Sequence, residues 1–182
     1  RRYGAANYAP LPAVFQRGEG VWLWDTDGRR YLDMMSAYSA VSFGHSHPRL
    51  VQALTEQAQR LALTSRAFSS DRLPVFLERL CATFGYERAL PVNTGLEAVE
   101  TALKAARKWG YQVKGIAPGK ARIIACDGNF HGRSIAIVGL SSNAHYRAGF
   151  GPFPPGLERI PFGDADALEA AITPDTAAFL VE

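Results

Sequence analysis

The sequence predicts an α/β fold built on a largely parallel sheet. Two observations carry that expectation. Short apolar runs at 89–92, 121–126, 157–162 and 177–181 alternate with stretches whose apolar residues recur at helical spacing. The run ending at Val92 passes straight into Thr94-Gly95, which opens a long helical pattern, as a strand–helix unit of such a sheet requires.

Taken in order, residues 1–19 read as an extended arm. GVWLWDTDGRRYLDMM (20–35) holds two strand-like runs around Asp27-Gly28, a hairpin signal. Pro48 suits the first position of a helix, with Leu50, Val51, Leu54, Ala58 and Leu61 on one face. Asp71 is placed to cap the next helix, whose face is Leu73, Phe76, Leu77, Leu80 and Phe84. A helix is expected from Thr94 towards Val113, another over 133–142, and a short one over 164–172 capped by Asp164. These readings divide the chain into an arm and hairpin (1–47) and the start of a larger domain (48–182). Its last residues, 176–182, fall within a strand pattern, so a longer protein is expected.

Composition narrows the function classes. The chain has 182 residues, 47% of them hydrophobic and 20% charged, with a formal net charge of +3. The basic residues form no cluster, which argues against a nucleic-acid surface. The apolar runs fall well short of the ~20 residues a membrane span needs. Cys81 and Cys126 sit in apolar patterns and read as buried thiols of a reducing compartment.

Three stretches could carry chemistry. Thr94 and Glu97 form a capping box, and Gly95 lets the backbone approach a ligand. The free N–H groups and macrodipole of such a helix start make an anion site, although a plain helix cap has the same spacing. No Walker loop and no G-x-G-x-x-G fingerprint occurs. CDGNFHGR (126–133) follows the buried run. There Phe130 could lie flat on a ring or be core, and Arg133 could fork onto a carboxylate or be a surface charge. His131 could meet a ligand or a backbone carbonyl. His45-Ser46-His47 has metal-compatible spacing but no Cys or carboxylate nearby in sequence, and no metal is expected. Tyr8 and Tyr38 could be ligand-facing hydroxyls or half-buried packing.

Together these stretches resemble the class III aminotransferases that use pyridoxal phosphate. The resemblance rests on YGAANYAPLP (3–12), GVWLWDTDGRRYLD (20–33), SAYSAV (36–41), GHSHP (44–48), LTSRAF (63–68), NTGLEAVETALKAARKWGYQVKG (93–115), GNFHGR (128–133) and GFGPFPPG (149–156). The arm, SAYSAV and LTSRAF stretches are similar to the family's ornithine-specific branch, with a departure at Ser42-Phe43, where that branch usually carries Asn-Gln.

The resemblance implies a type I pyridoxal-phosphate fold and transfer of the δ-amino group of ornithine to 2-oxoglutarate. It implies that Thr94, Gly95 and Leu96 hold the cofactor phosphate, that Phe130 stacks on its ring with His131 beside it, and that Arg133 binds the substrate carboxylate. Tyr8 and Tyr38 would line the ornithine pocket. None of Lys104, Lys108, Lys114 and Lys120 matches the family's Schiff-base lysine, which is expected downstream, so no catalytic residue is expected in this span. A homodimer or higher oligomer in the cytoplasm (the mitochondrial matrix in a eukaryote) is implied as well. Another class III ω-aminotransferase, such as one for acetylornithine, and a non-catalytic ligand sensor remain the alternatives.

Overall fold

The computed structural model describes residues 3–5 and 8–182. Its contacts divide the chain into two compact units, Arg1–Phe76 and Leu77–Glu182.

The first unit holds an antiparallel sheet of β1 (Phe15–Glu19), β2 (Trp22–Asp25) and β3 (Arg30–Leu32), in that order. The expected hairpin is β2–β3. The last five residues of the expected arm form β1, paired to β2 with an irregularity between Phe15 and Arg17. The β2–β3 turn is built around one buried carboxylate. Asp25 Oδ1 accepts from the Asp27 and Arg29 N–H groups at 3.0 and 2.8 Å, and Oδ2 accepts from Tyr31 Oη at 2.8 Å. Burial pushes this carboxyl up, but those hydrogen bonds and the Arg29 charge outweigh it and hold it below the usual carboxylate range.

Helix α1 (Pro48–Arg60) follows, with proline at its first turn as expected. Helix α2 (Arg72–Phe84) runs across the division between the units. Its start differs from expectation. Ser70 Oγ accepts from the Leu73 N–H at 3.2 Å, while Asp71 faces Arg60 and Arg72 at 3.6 and 3.7 Å. The shorter hydroxyl takes the capping contact, and the carboxylate turns to the two arginines.

In the second unit, α3 (Gly95–Trp109) ends in a π-helical turn, Gly110–Lys114, which carries the predicted helix to its end in a wider coil. The parallel sheet has the order β5-β4-β6, from β4 (Arg122–Cys126), β5 (Leu157–Ile160) and β6 (Thr176–Leu180). Residues 89–92 are not a strand. A strand needs a partner ladder, and none joins this apolar run among the described residues. The helix expected over 133–142 is shorter, α4 (Ile135–Gly139). A second short helix, α5 (Ala144–Arg147), follows it, and α6 (Ala165–Ala171) starts on Asp164, whose carboxylate accepts from the Ala167 N–H at 2.8 Å.

The central strand β4 is buried on both faces. Ile123 and Ala125 pack with Leu103, Ile137 and Leu140, while Ile124 and Cys126 pack with Ile160 against α6. This explains the unbroken apolar run in its sequence. Of the two cysteines, Cys126 is buried and Cys81 half-buried, both as free thiols.

Candidate cofactor and substrate site

The start of α3 is built as its sequence predicts. Thr94 Oγ1 accepts from the Glu97 N–H at 3.1 Å, and Glu97 Oε2 accepts from the N–H groups of Thr94 and Asn93 at 3.1 and 2.7 Å. The reciprocal bonds use three N–H donors. Those of Gly95 and Leu96 remain outside the box, at the positive end of a 15-residue helix. A Cβ added at Gly95 would meet nothing within 4 Å, so the space before these donors is open.

The second component is the loop after β4. Asp127 N–H continues the β4 ladder onto the Ile160 carbonyl at 2.7 Å. Asn129 Nδ2 donates to the carbonyls of Cys126 and Leu140 at 2.6 and 2.8 Å, closing the loop over its own base. The Gly128 N–H donates to Ser142 Oγ at 2.9 Å, and the Phe130 N–H to Glu182 Oε2 at 2.7 Å.

Gly132 joins the two components. Its φ is +133°, and a Cβ there would lie 2.5 Å from Leu96 Cδ1 and 3.4 Å from Leu96 Cβ. Only glycine lets the loop lie this close to the first turn of α3. Ser134 then caps α4 and donates to the Glu100 carboxylate, a second tie to α3.

These ties bring Thr94, Gly95 and Leu96 to the same end of the sheet as Phe130, His131 and Arg133. The Phe130 ring is half exposed, and the Arg133 guanidinium lies over it, 5.8 Å from its centroid. His131 is 9% exposed, and its Nε2 has no hydrogen-bond partner. Burial pushes its pKa below the ordinary 6.5, and the nearby Glu182 charge opposes that only in part. Burial thus favours the uncharged imidazole.

Tyr8 and Tyr38 belong to the first unit, where both are exposed. Tyr38 sits in a run of four non-glycine residues with positive φ, from Ser36 to Ser39. His45 places Nε2 2.7 Å from Asp33 Oδ2. The aspartate is twelve residues away, and the sheet brings it there, so sequence proximity could not reveal the pair. The glycines at 18, 20 and 44 were the available signal. Among the described residues no three His, Cys, Asp or Glu side chains are grouped to hold a metal ion. No described helix is long and apolar enough to cross a membrane.

An orphaned buried imidazole, two unengaged N–H donors and open space above Gly95 fit a flat phosphorylated ring of the pyridoxal-phosphate type. The comparisons with known proteins point the same way. The family model "Aminotransferase class-III" matches residues 3–182. "Ornithine aminotransferase" of Geobacillus sp. (strain WCH70) is 57% identical over 181 residues, which are 100% of this chain and 46% of that protein. The chain thus spans about half the length of the curated relatives it matches. A crystal structure of the Toxoplasma gondii ornithine aminotransferase, described as showing partial occupancy of PLP at the active site, superposes with a TM-score of 0.96. It is 45% identical, over 99% of this chain and 42% of that one. Acetylornithine aminotransferase from Elizabethkingia anophelis gives 0.84 at 51% identity, over 99% and 44%. The chain belongs to the class III aminotransferase family.

Proposed function

We propose that the chain is the phosphate- and carboxylate-binding part of a pyridoxal-phosphate enzyme that moves the δ-amino group of ornithine to 2-oxoglutarate. The observation that carries this reading is the contact of Gly132 with Leu96, which sets the Phe130–Arg133 loop on the first turn of α3. The N–H groups of Gly95 and Leu96 take the phosphate, with the Thr94 hydroxyl beside them and the helix dipole behind. Phe130 gives a flat apolar face to the ring, and the neutral His131 offers Nε2 to the cofactor's polar edge. Arg133 forks onto the substrate carboxylate, several carbons from the reacting amine, and so fixes which end of the substrate reaches the cofactor. Pyridoxal phosphate, when bound, supplies the electron sink that lets the C–H bond beside the reacting nitrogen break.

Tyr8 and Tyr38 belong to the ornithine pocket on this reading, and residues 1–47 form an arm and hairpin attached to the larger domain from 48 onward. The working enzyme is a homodimer or higher homo-oligomer in a reducing compartment. Support for ornithine comes from the Geobacillus and Toxoplasma relatives. The Elizabethkingia relative favours N-acetylornithine as the second reading, and a hydroxyl at Tyr8 suits an unacylated α-amino group better.

The test is Arg133→Lys in the full-length protein, which keeps the charge and loses the fork. Its kcat/KM for ornithine should fall about ten- to a thousandfold, roughly 1.4–4 kcal/mol, while that for a simple amine without a carboxylate changes far less. Equal losses on both substrates would make Arg133 a structural residue.

A further inference from the structure

Ser36, Ala37, Tyr38 and Ser39 have φ of 48°, 46°, 56° and 70°. L-residues avoid this left-handed conformation, above all in succession, so the surroundings must over-determine it. Backbone hydrogen bonds inside the turn supply part of this, and one carboxylate ties its two ends together. Asp33 Oδ1 accepts from the N–H groups of Met35 and Ser36 at 3.0 and 2.9 Å, where the turn opens. Its Oδ2 meets His45 Nε2 at 2.7 Å, where the loop closes.

Both ends are fastened to the sheet in turn. The Asp33 N–H donates to the Val21 carbonyl at 2.9 Å. His45 exchanges two backbone hydrogen bonds with Gly20, at 3.0 and 2.8 Å. The His45 ring lies where Gly18 has no side chain, since a Cβ there would come within 2.8 Å of His45 Cβ and Cγ. Gly44, at φ +85°, approaches the Gly20 backbone to 3.1 Å from the position of its own missing Cβ. No residue from 34 to 44 is fully buried, and Tyr38 at the tip is 85% exposed. Within the loop the Tyr38, Ala40 and Val41 N–H groups donate to the Met35, Ala37 and Ser36 carbonyls at 3.0, 3.2 and 3.0 Å, and its two ends are tied to the sheet by one bifunctional carboxylate and two close glycine contacts.

We propose that Asp33 is a positioning residue that acts through the left-handed turn to hold the Tyr38 hydroxyl for the α-amino group of a diamino-acid substrate. This rests on the reading of Tyr38 as an ornithine-pocket residue. A phenol oxygen can accept from an ammonium group, a contact that a substrate without the α-amine cannot make. A fault in the turn therefore shows only with substrates that carry the α-amine.

The experiment compares kcat/KM for ornithine and for 5-aminopentanoate, which keeps the δ-amine and the carboxylate but has no α-amine, in the full-length, cofactor-loaded enzyme. Tyr38→Phe should cost about tenfold on ornithine and less than about twofold on 5-aminopentanoate, the loss of one hydrogen bond to a charged group. Asp33→Ala should show the same selectivity. The double variant should lose no more than the worse single one, because both changes remove one interaction. Asp33→Asn should recover most of the loss, since its amide oxygen still accepts from the two N–H groups and its NH2 can donate to His45 Nε2. Where Asp33→Ala yields no folded enzyme, His45→Ala takes its place with the same expectation. Equal losses on the two substrates, or additive losses in the double variant, overturn the positioning role while a selective Tyr38→Phe stands. An unselective Tyr38→Phe overturns the substrate reading itself.

Discussion

The loop after β4 and the loop after β3 each present an aromatic side chain at a candidate ligand surface, Phe130 in one and Tyr38 in the other, and they are held by different physics. Behind the first lies a strand buried on both faces, with Ile123, Ile124 and Leu140 wholly inaccessible. Hydrogen bonds from Asn129 and the glycine contact at Gly132 then seat the loop on a base that apolar burial has already fixed. The second has no buried apolar side chain. Asp25 is the one buried residue described in the first unit, and the loop depends on its own backbone hydrogen bonds, the Asp33 carboxylate, the His45 ring and close-packed glycines. Burial tolerates the loss of a single polar contact, whereas a polar pin fails when its one carboxylate goes.

The largest effect that would break this comparison is in the β4 core. Leu140→Ala should destabilise the full-length protein by about 2–5 kcal/mol, read from denaturant unfolding, because the side chain is wholly enclosed. A loss of only a few tenths would mean that the β4 loop, too, stands on its hydrogen bonds. Gly132→Ala comes next. The added methyl meets Leu96 at a backbone angle that side chains rarely adopt, so strain of about 1–3 kcal/mol should weaken cofactor binding more than folding. Cofactor titration alongside unfolding separates the two. Thr94→Ala removes one half of the capping box and should cost about 1 kcal/mol of stability, sharpening how much of the α3 start depends on its cap.

The smallest effect is a difference in acid sensitivity. Both key groups have depressed pKa values, so each contributes stability that is complete above its unfolded value and lost as pH falls through the folded one. For His131, depressed by burial, the contribution is complete above 6.5 and declines on acidification below it. For Asp33, depressed by the His45 hydrogen bond and by the Ser36 and Met35 N–H groups, it is complete above 3.8 and declines only below that. Between pH 6 and 4, on the order of the ordinary His and Asp values, hydrogen-exchange protection should fall in the β4 loop and hold in residues 34–44. His131→Asn should abolish the first change.

How much of this was legible in the sequence follows the same division. The capping box at Thr94, the buried run of β4 and the Asp164 cap were readable because each is fixed by residues within four positions of one another. The 89–92 run looked like a strand because apolar residues signal burial, and a strand also needs a neighbour, which no local pattern reports. Ser70 displaced Asp71 as the α2 contact because two arginines in space competed for the carboxylate. The Asp33–His45 pair was illegible, since only the β1–β2 sheet brings the two together. Gly132 could be read as a glycine in a turn, but the reason for it, the side chain of Leu96, lies 36 residues back.

The central claim is that the first turn of α3 takes the cofactor phosphate, and Gly95 tests it most directly. In the full-length protein, Gly95→Asp places a carboxylate in the open space before the free N–H donors. Titration with pyridoxal phosphate, followed by absorbance, should show affinity weakened by about a hundredfold or more, as like charges meet at short range. The unfolding midpoint of the cofactor-free protein should hardly change, since the added side chain meets no neighbour. Unchanged cofactor affinity in that variant would contradict the account.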